Sequence, residues 1–106
     1  MSDLLHYRAE IDALDDRIID LLVERIGVCH KVAAWKMKNG VAARLQDRID
    51  AVRETRAEKA AAKGLRADYV RQLYALIIEE TCATEERDMA ARGFTSEGVA
   101  KEKVAA

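Results

Sequence analysis

Two cations in the first third of the chain are spaced so that they could bind one anionic ligand. Arg25 and Lys36 are eleven residues apart, so on a helix they lie about 20° apart around the axis, three turns from each other. The planar fork of an arginine matches a carboxylate at two points, and a lysine adds a compact positive charge. Arg8 lies seventeen residues before Arg25 and points about 100° away from it, so Arg8 is better placed to serve a site in a partner chain.

Four residues farther along the chain could belong to the same site. Thr81 and Glu85 are four residues apart, which puts them on one helical face, in continuation of its apolar residues. Arg48 directly precedes the apolar Ile49 near the start of another helical segment. With the two earlier cations, these residues describe an apolar cage of helices into which several cations and one carboxyl group project. Such a cage suits a small ligand with more than one carboxylate.

Each charged residue also has a simpler structural explanation. Arg25 could pair with a carboxylate such as Asp15 across a dimer seam and set the register of two helices. Lys36 and Arg48 could be solvated surface residues, as most lysines and arginines are. Glu85, near the end of a helical pattern, could equally be exposed.

The helix that must position Arg25 is very long. Apolar residues recur in the first third of the chain at alternating steps of four and three, which is typical of a helix with one apolar seam. Arg25 is the one charged member of this seam, which consists of Tyr7, Ile11, Leu14, Ile18, Leu21, Arg25, Val28, Val32 and Trp35. A helix over residues 4–38 is about 50 Å long, whereas a compact domain of ~100 residues has a radius of gyration near ~13 Å. We therefore expect a second copy of the chain to cover the seam.

The rest of the chain predicts two more helices and a tail. Asn39 and Gly40 are stop signals for the first helix. An alanine-rich helix is expected over residues 46–63 and a third helix from about residue 67 to about residue 89, with Gly64 between them. From residue 93 the sequence is polar without a periodic stripe. The expected class is all-α, with one very long, one short and one medium helix in a domain of residues 1–92, followed by a flexible polar tail of residues 93–106.

Composition excludes several classes of function. The 106 residues carry a formal net charge of −1, so there is no basic excess for nucleic acid or a membrane surface. The N-terminus lacks the features of a signal peptide, which predicts a cytoplasmic protein. Cys29 and Cys82 have no CxxC spacing and are expected to be free buried thiols. With only His6 and His30 as further zinc ligands, we expect no metal site.

One set of residues agrees in type and spacing with a known family across all three helices. The set consists of Leu5, Arg8, Ile11, Asp12, Asp15, Ile18, Leu21, Leu22, Arg25, Val32, Lys36, Gly40, Arg48, Gly64, Leu65, Leu73, Tyr74, Ile77, Ile78, Glu79 and Glu80. On these residues the chain resembles the all-helical (AroQ-type) chorismate mutase family over about residues 4–88. The resemblance implies an intertwined homodimer in which two long first helices pair. It also implies that each active site borrows an arginine from the other chain, which is the role left open for Arg8.

The resemblance implies an activity that needs no cofactor. Family members convert chorismate to prephenate, in aromatic amino acid biosynthesis, by a concerted rearrangement without a nucleophile or a proton transfer. The enzyme holds the substrate in its compact reactive shape and stabilises the charge that builds on the ether oxygen. By resemblance, Arg25 and the partner's Arg8 hold the two carboxylates of the substrate, with Arg48 alongside.

By the same resemblance, Lys36 and Glu85 face the ether oxygen, and Thr81 lies near the ring. The common bacterial form has glutamine at the position of Glu85. A carboxylate cannot donate a hydrogen bond to an ether oxygen, but a carboxylic acid can. We therefore expect Glu85 to work in its protonated form.

Ile49 departs from the family pattern and leaves the substrate open. Many members have a glutamate there, which receives the ring hydroxyl of chorismate. An apolar residue also occurs in the 4-amino-4-deoxychorismate mutases, to which the run Glu80-Thr81-Cys82 with Glu85-Glu86 is similar, and in the isochorismate–pyruvate lyases. Chorismate is the first expectation, these two substrates are alternatives, and a non-catalytic helical dimer is the alternative outside enzymes.

Overall fold

A computed structural model describes residues 2–102 of the chain, which form three helices. Helix α1 spans Ser2–Asn39, α2 spans Gln46–Ala62 and α3 spans Ala67–Ala91. These bounds agree with the sequence-based ones to within about two residues, and the prediction of an all-helical chain with one very long, one short and one medium helix is confirmed for the described residues.

Glycines end the first two helices in the conformation that the stop signals predicted. Gly40 follows α1 with φ of 66°, and Gly64 follows α2 with φ of 89°, a region that costs glycine little because it has no Cβ. After α2, the Leu65 N–H donates to the Ala60 carbonyl at 2.9 Å, which satisfies one of the free carbonyls at the helix end. The chain can therefore turn sharply and bring α2 and α3 together.

Helix α3 is the central element, since it packs against both α1 and α2. One apolar cluster joins the end of α1 to the end of α3, with Phe94 packed against it, and consists of Ala33, Met37, Ala43 and Met89. A second cluster joins α2 to the middle of α3, with Ile49 and Tyr74 packed against it, and consists of Val52, Ile78 and Cys82. The space left between α1 and α2 is the candidate site described below.

The first half of α1 extends away from this core. The chain measures 68 × 25 × 16 Å with a radius of gyration of 18.1 Å, against about 13 Å for a compact domain of this size. The apolar side chains of this half are exposed in the single chain, and they include Leu4, Leu5, Tyr7, Ile11, Leu14, Ile18 and Ile19, with Leu21 and Leu22 exposed directly after them. A continuous apolar surface of this kind is typical of an interface.

The segment predicted as a flexible polar tail instead forms a closed turn over residues 93–102, which we call the C-terminal turn. Phe94 and Ala100 form an isolated antiparallel bridge, and the Lys101 N–H donates to the Gly93 carbonyl at 2.8 Å. Gly98 is buried against the connection between α1 and α2. Main-chain hydrogen bonds hold this turn. Every residue can form such bonds, so the sequence of the segment shows no periodic pattern. The predicted tail residues 103–106 lie outside the described residues, and the division of the chain at residue 92 stays a prediction.

Within residues 2–102, no helix is both long enough and apolar enough to cross a membrane.

Candidate active site

A cavity of about 540 Å³ lies between α1 and α2 and is closed at its base by α3. Six of the seven residues singled out in the sequence line it, namely Arg25, Lys36, Arg48, Ile49, Thr81 and Glu85. Apolar side chains form most of the remaining wall. The cavity is large enough for a small organic molecule, and its charged groups come from all three helices.

Arg25 reaches from α1 to α3 at one side of the cavity. Its Nη1 donates a hydrogen bond to Thr81 Oγ1, and that hydroxyl donates in turn to the Ile77 carbonyl at 3.0 Å. Cys29, one turn after Arg25, lies with its Sγ 3.7 Å from the same hydroxyl. We find no carboxylate paired with Arg25 among residues 2–102, Asp15 included, so most of its hydrogen-bonding capacity stays available to a ligand. Pairing with Asp15 across a dimer stays a prediction.

Lys36 and Glu85 form a buried pair at the other side of the cavity. Lys36 Nζ lies 2.7 Å from Glu85 Oε1 and donates to the Ala43 carbonyl at 2.8 Å. The Glu85 side chain is 4% exposed, so the alternatives of solvated surface for Lys36 and exposure for Glu85 are wrong in this structure. The two charged atoms are close but not aligned as a hydrogen bond, so Glu85 Oε1 has no hydrogen-bond partner within the described chain.

Helix α2 contributes a cation and an apolar wall. Arg48 is exposed but faces the cavity, and Ile49 is half-buried beside it. Leu45 and Val52 extend this wall by one turn in each direction. The side of the cavity formed by α2 therefore offers one positive charge and no side-chain acceptor for a hydroxyl group.

Arg8 does not belong to the cavity of its own chain. It lies on the exposed first half of α1, about 25 Å along the helix from Arg25. No ion pair involves Arg8 within residues 2–102. This position agrees with the angular argument that Arg8 cannot serve the same ligand as Arg25 within one chain.

The sequence reasoning missed three features of the site. Cys29 and Cys82 both line the cavity, and helical spacing from Arg25 and Thr81 could have indicated them. Burial raises the pKa of the Cys82 thiol, which leaves little thiolate at neutral pH. The Ala43 carbonyl had no signal, because every residue carries one.

Arg44 fastens the connection between α1 and α2 to α3 outside the cavity. Its guanidinium makes two hydrogen bonds to Glu79, at 2.7 and 2.8 Å, and two to Glu86, at 2.9 and 3.2 Å. The hydrogen bonds from Arg44 lower the pKa of Glu79. These exposed pairs contribute little stability on their own, but they fix the residue that follows Ala43.

Residues 2–102 contain no group of three or more His, Cys, Asp or Glu side chains arranged to hold a metal ion.

Fold, cavity and motifs together define a family. The profile of the family described as chorismate mutase type II matches residues 7–86, which covers all of the cavity. The chain therefore belongs to the chorismate mutase type II family, a family of chorismate-mutase-type isomerases, and the resemblance seen in the sequence is confirmed.

Individual relatives have two different activities in their names. The 4-amino-4-deoxychorismate mutase of Streptomyces venezuelae is 33% identical over 96 residues, which cover 91% of this chain and 93% of that protein. The protein of the same name from Streptomyces pristinaespiralis is 33% identical over 86 residues, or 81% of this chain and 67% of that protein. A bifunctional chorismate mutase/prephenate dehydratase of Buchnera aphidicola subsp. Acyrthosiphon pisum is 34% identical over 86 residues, and this match covers only 22% of its length. No solved structure gave a significant match.

Proposed function

We propose that the protein catalyses the pericyclic rearrangement of chorismate to prephenate. In this reaction the ether carbon–oxygen bond breaks while a new carbon–carbon bond forms in the same molecule, so no proton, electron or second reactant is needed. The observation that carries the proposal is the convergence of Arg25, Lys36 and Arg48 on one apolar cavity. Membership of the chorismate mutase type II family supports it.

The cations have two tasks in the proposed reaction. Arg25 and Arg48 hold substrate carboxylates, because their guanidinium groups are not paired with carboxylates of the described chain. Holding both ends of a flexible substrate selects its compact reactive shape, which removes most of the entropic part of the barrier. Hydrogen bonds between the charged groups contribute roughly 1.5–3 kcal/mol each.

Lys36 and Glu85 act at the breaking bond. An ammonium has three donors, and two of those of Lys36 face the Ala43 carbonyl and Glu85. The third can donate to the ether oxygen and stabilise the negative charge that grows there in the transition state. A protonated Glu85 supplies a second donor to the same oxygen.

The same rearrangement of 4-amino-4-deoxychorismate is the second candidate. Two observations favour it: two relatives at 33% identity carry that name, one of them matched over nearly the whole of both chains, and Ile49 provides no acceptor for the ring hydroxyl of chorismate. No relative reported above is named for the isochorismate–pyruvate lyase reaction, which stays an expectation from the sequence.

We further propose that the working form is a homodimer with shared sites. The exposed apolar residues of the first half of α1 need a cover, and a second copy of α1 has the matching seam. The partner's Arg8 then completes the carboxylate anchors of Arg25 and Arg48.

The test is to mix the purified protein with chorismate, 4-amino-4-deoxychorismate or isochorismate and to follow the loss of substrate absorbance, with product identification by mass spectrometry. We expect turnover of chorismate. Turnover of the amino analogue alone would move the protein to the second candidate, and turnover of none would contradict the enzymatic proposal.

Two arginines of α2 provide a matched control for this assay. Arg48→Ala removes a proposed carboxylate anchor and should lower kcat/KM about 10- to 100-fold, in line with the loss of one charged hydrogen bond. Arg53→Ala removes an exposed arginine that does not line the cavity and should change kcat/KM less than about twofold. Equal effects of the two variants would mean that this cavity is not where the substrate binds.

A further inference from the structure

The C-terminal turn lies beyond residues 7–86, which the family match covers, yet it contacts the candidate site. From these contacts we propose that the C-terminal turn is a positioning element that holds the ammonium of Lys36 in its catalytic place, acting through the Ala43 peptide. The inference rests on the proposed function, because it assigns the turn a role in the same reaction.

The two main-chain polar groups of Ala43 link the turn to Lys36. Its N–H donates to the Ser96 carbonyl at 2.8 Å, while the Ala43 carbonyl accepts from Lys36 Nζ at 2.8 Å. Ala43 is 3% exposed, so water cannot easily replace either partner. Since peptide groups are planar and two rotatable bonds separate this N–H from this carbonyl, anchoring the N–H restricts the direction in which the carbonyl points.

The Lys36 side chain needs such an anchor. A lysine ammonium sits on a flexible four-carbon stem and does not hold a direction by itself. Two groups on different elements fix it here: the Ala43 carbonyl, which accepts a hydrogen bond, and Glu85, which forms an ion pair with it. If Ala43 shifts, the ammonium keeps only Glu85 and can turn toward that carboxylate, which moves its remaining donor away from the ether oxygen.

The turn is shaped to close on the connection that carries Ala43. A Cβ at Gly98 would overlap the main chain of Val41, and Gly98 has φ of 78°, so both the close approach and the backbone conformation require glycine. On the other side of the turn, Phe94 packs against the cluster that contains Ala43 and Met89. The Thr95 N–H donates to the Val99 carbonyl at 2.8 Å, which closes the turn on itself.

The experiment compares Gly98→Ala with the wild-type chain, using whichever substrate the wild type converts. Gly98→Ala should push the turn off Val41 and free the Ala43 peptide. We expect kcat to fall at least about tenfold, since small displacements of catalytic groups cost up to about 100-fold, while KM stays within about twofold because Arg25 and Arg48 are untouched. Amide hydrogen exchange at Ala43, read by NMR, should be slow in the wild type and fast in the variant.

Two control variants separate positioning from general strain. Gly64→Ala places a Cβ at a similar positive φ, but in open space at the turn between α2 and α3, and Glu97→Ala removes an exposed side chain of the C-terminal turn. Both should leave kcat within about twofold. Phe94→Ala, which loosens the turn without a backbone clash, replaces Gly98→Ala if that variant does not fold.

A double-mutant cycle with Lys36→Ala decides whether the effect runs through the lysine. In the Lys36→Ala background, Gly98→Ala should cause no further loss of kcat. This background is assayed with enough enzyme for the catalysed rate to exceed the uncatalysed rate. The same proportional loss in both backgrounds, an unchanged kcat, or an Ala43 amide that stays protected in both Gly98→Ala and Phe94→Ala would overturn the inference. A wild type that converts no substrate would refute the proposed function first and this inference with it.

Discussion

Glu85 is the residue whose contribution to the site depends most on its protonation. It is a carboxyl group buried on an apolar wall, with Oε1 facing the Lys36 ammonium and lacking a hydrogen-bond partner in the described chain. A carboxylate there only accepts hydrogen bonds, so in the proposed reaction an ionised Glu85 orients Lys36 and adds no donor at the ether oxygen. In its protonated form the proton sits on Oε2, because Oε1 faces a cation, and that O–H becomes a second donor.

The proposed donor role of Glu85 predicts that an amide can replace its carboxyl group. Glu85→Gln keeps an acceptor beside Lys36 and supplies an N–H donor, so it should keep kcat within about tenfold of the wild type. Glu85→Ala removes both groups and should lower kcat about 100-fold or more. The measurement is kcat of each variant at neutral pH, with circular dichroism to show that each is folded, and a Glu85→Gln variant as inactive as Glu85→Ala would contradict the role.

At the level of residues, the sequence predicts side chains better than main-chain groups. The twenty-degree offset of Arg25 and Lys36, and the i, i+4 spacing of Thr81 and Glu85, correctly indicated that these residues reach one cavity. The Ala43 carbonyl, which orients Lys36, left no trace in the sequence. Which face of α2 turns inward depends on the packing of Val52 against α3. Spacing alone therefore did not decide whether Arg48 faces the cavity or the solvent.

Among the elements, α1 has two different surfaces. Its last third packs on α3 and the connection through Ala33 and Met37. The apolar seam that periodicity identified in the sequence is exposed along the first half of α1, and it is also exposed farther on, at Val28, Val32 and Trp35. The C-terminal turn is the opposite case. Its long-range contacts are main-chain hydrogen bonds and one apolar side chain, Phe94, and neither gives a periodic pattern in a polar segment.

The seam predicts the effect of a charge at its centre. Ile18 is 54% exposed in the single chain, so Ile18→Asp should not disturb the fold of one copy, but an unpaired carboxylate in a helix–helix interface is strongly unfavourable. We expect the variant to shift from dimer to monomer and to lose most of its activity, as measured by light scattering coupled to size-exclusion chromatography.

Arg17→Gln is the matched control for this experiment. It changes the net charge by the same amount at an exposed neighbour off the seam and should leave the dimer intact. If Ile18→Asp and the wild type are both monomers and equally active, the seam is not an interface between copies.

At the scale of the molecule, the distance between Arg8 and Arg25 determines how many chains make one site. The chain is 68 Å long but only 16 Å thick, and two arginines about 25 Å apart on one helix cannot hold the same small ligand. A site that uses both needs two copies of the chain.

Mixing two inactive variants tests this arrangement directly. Arg8→Ala and Arg25→Ala should each lower kcat/KM at least about tenfold, because each removes a charged hydrogen bond. In a mixed dimer, one of the two sites contains both intact arginines. Co-refolding equal amounts should therefore restore about a quarter of wild-type activity, since half of the dimers are mixed and half of their sites are complete.

The control uses a double variant that carries Arg8→Ala and Arg48→Ala in the same chain. It is mixed in equal amount with the Arg25→Ala variant. No intact site can form in that mixture, because one chain lacks Arg25 and the other lacks Arg48 and Arg8. Recovery in this control, or no recovery in the first mixture, would contradict a site shared between chains.

The two buried thiols give this cavity a built-in chemical label. Cys29 and Cys82 line it, although a pericyclic reaction has no use for a nucleophile. The raised pKa of Cys82 makes that sulfur slow to react with alkylating reagents at neutral pH, and a molecule filling the cavity covers both sulfurs. The rate of thiol alkylation therefore reports occupancy without turnover, so that non-reacting compounds can be ranked by how well they protect the protein from modification.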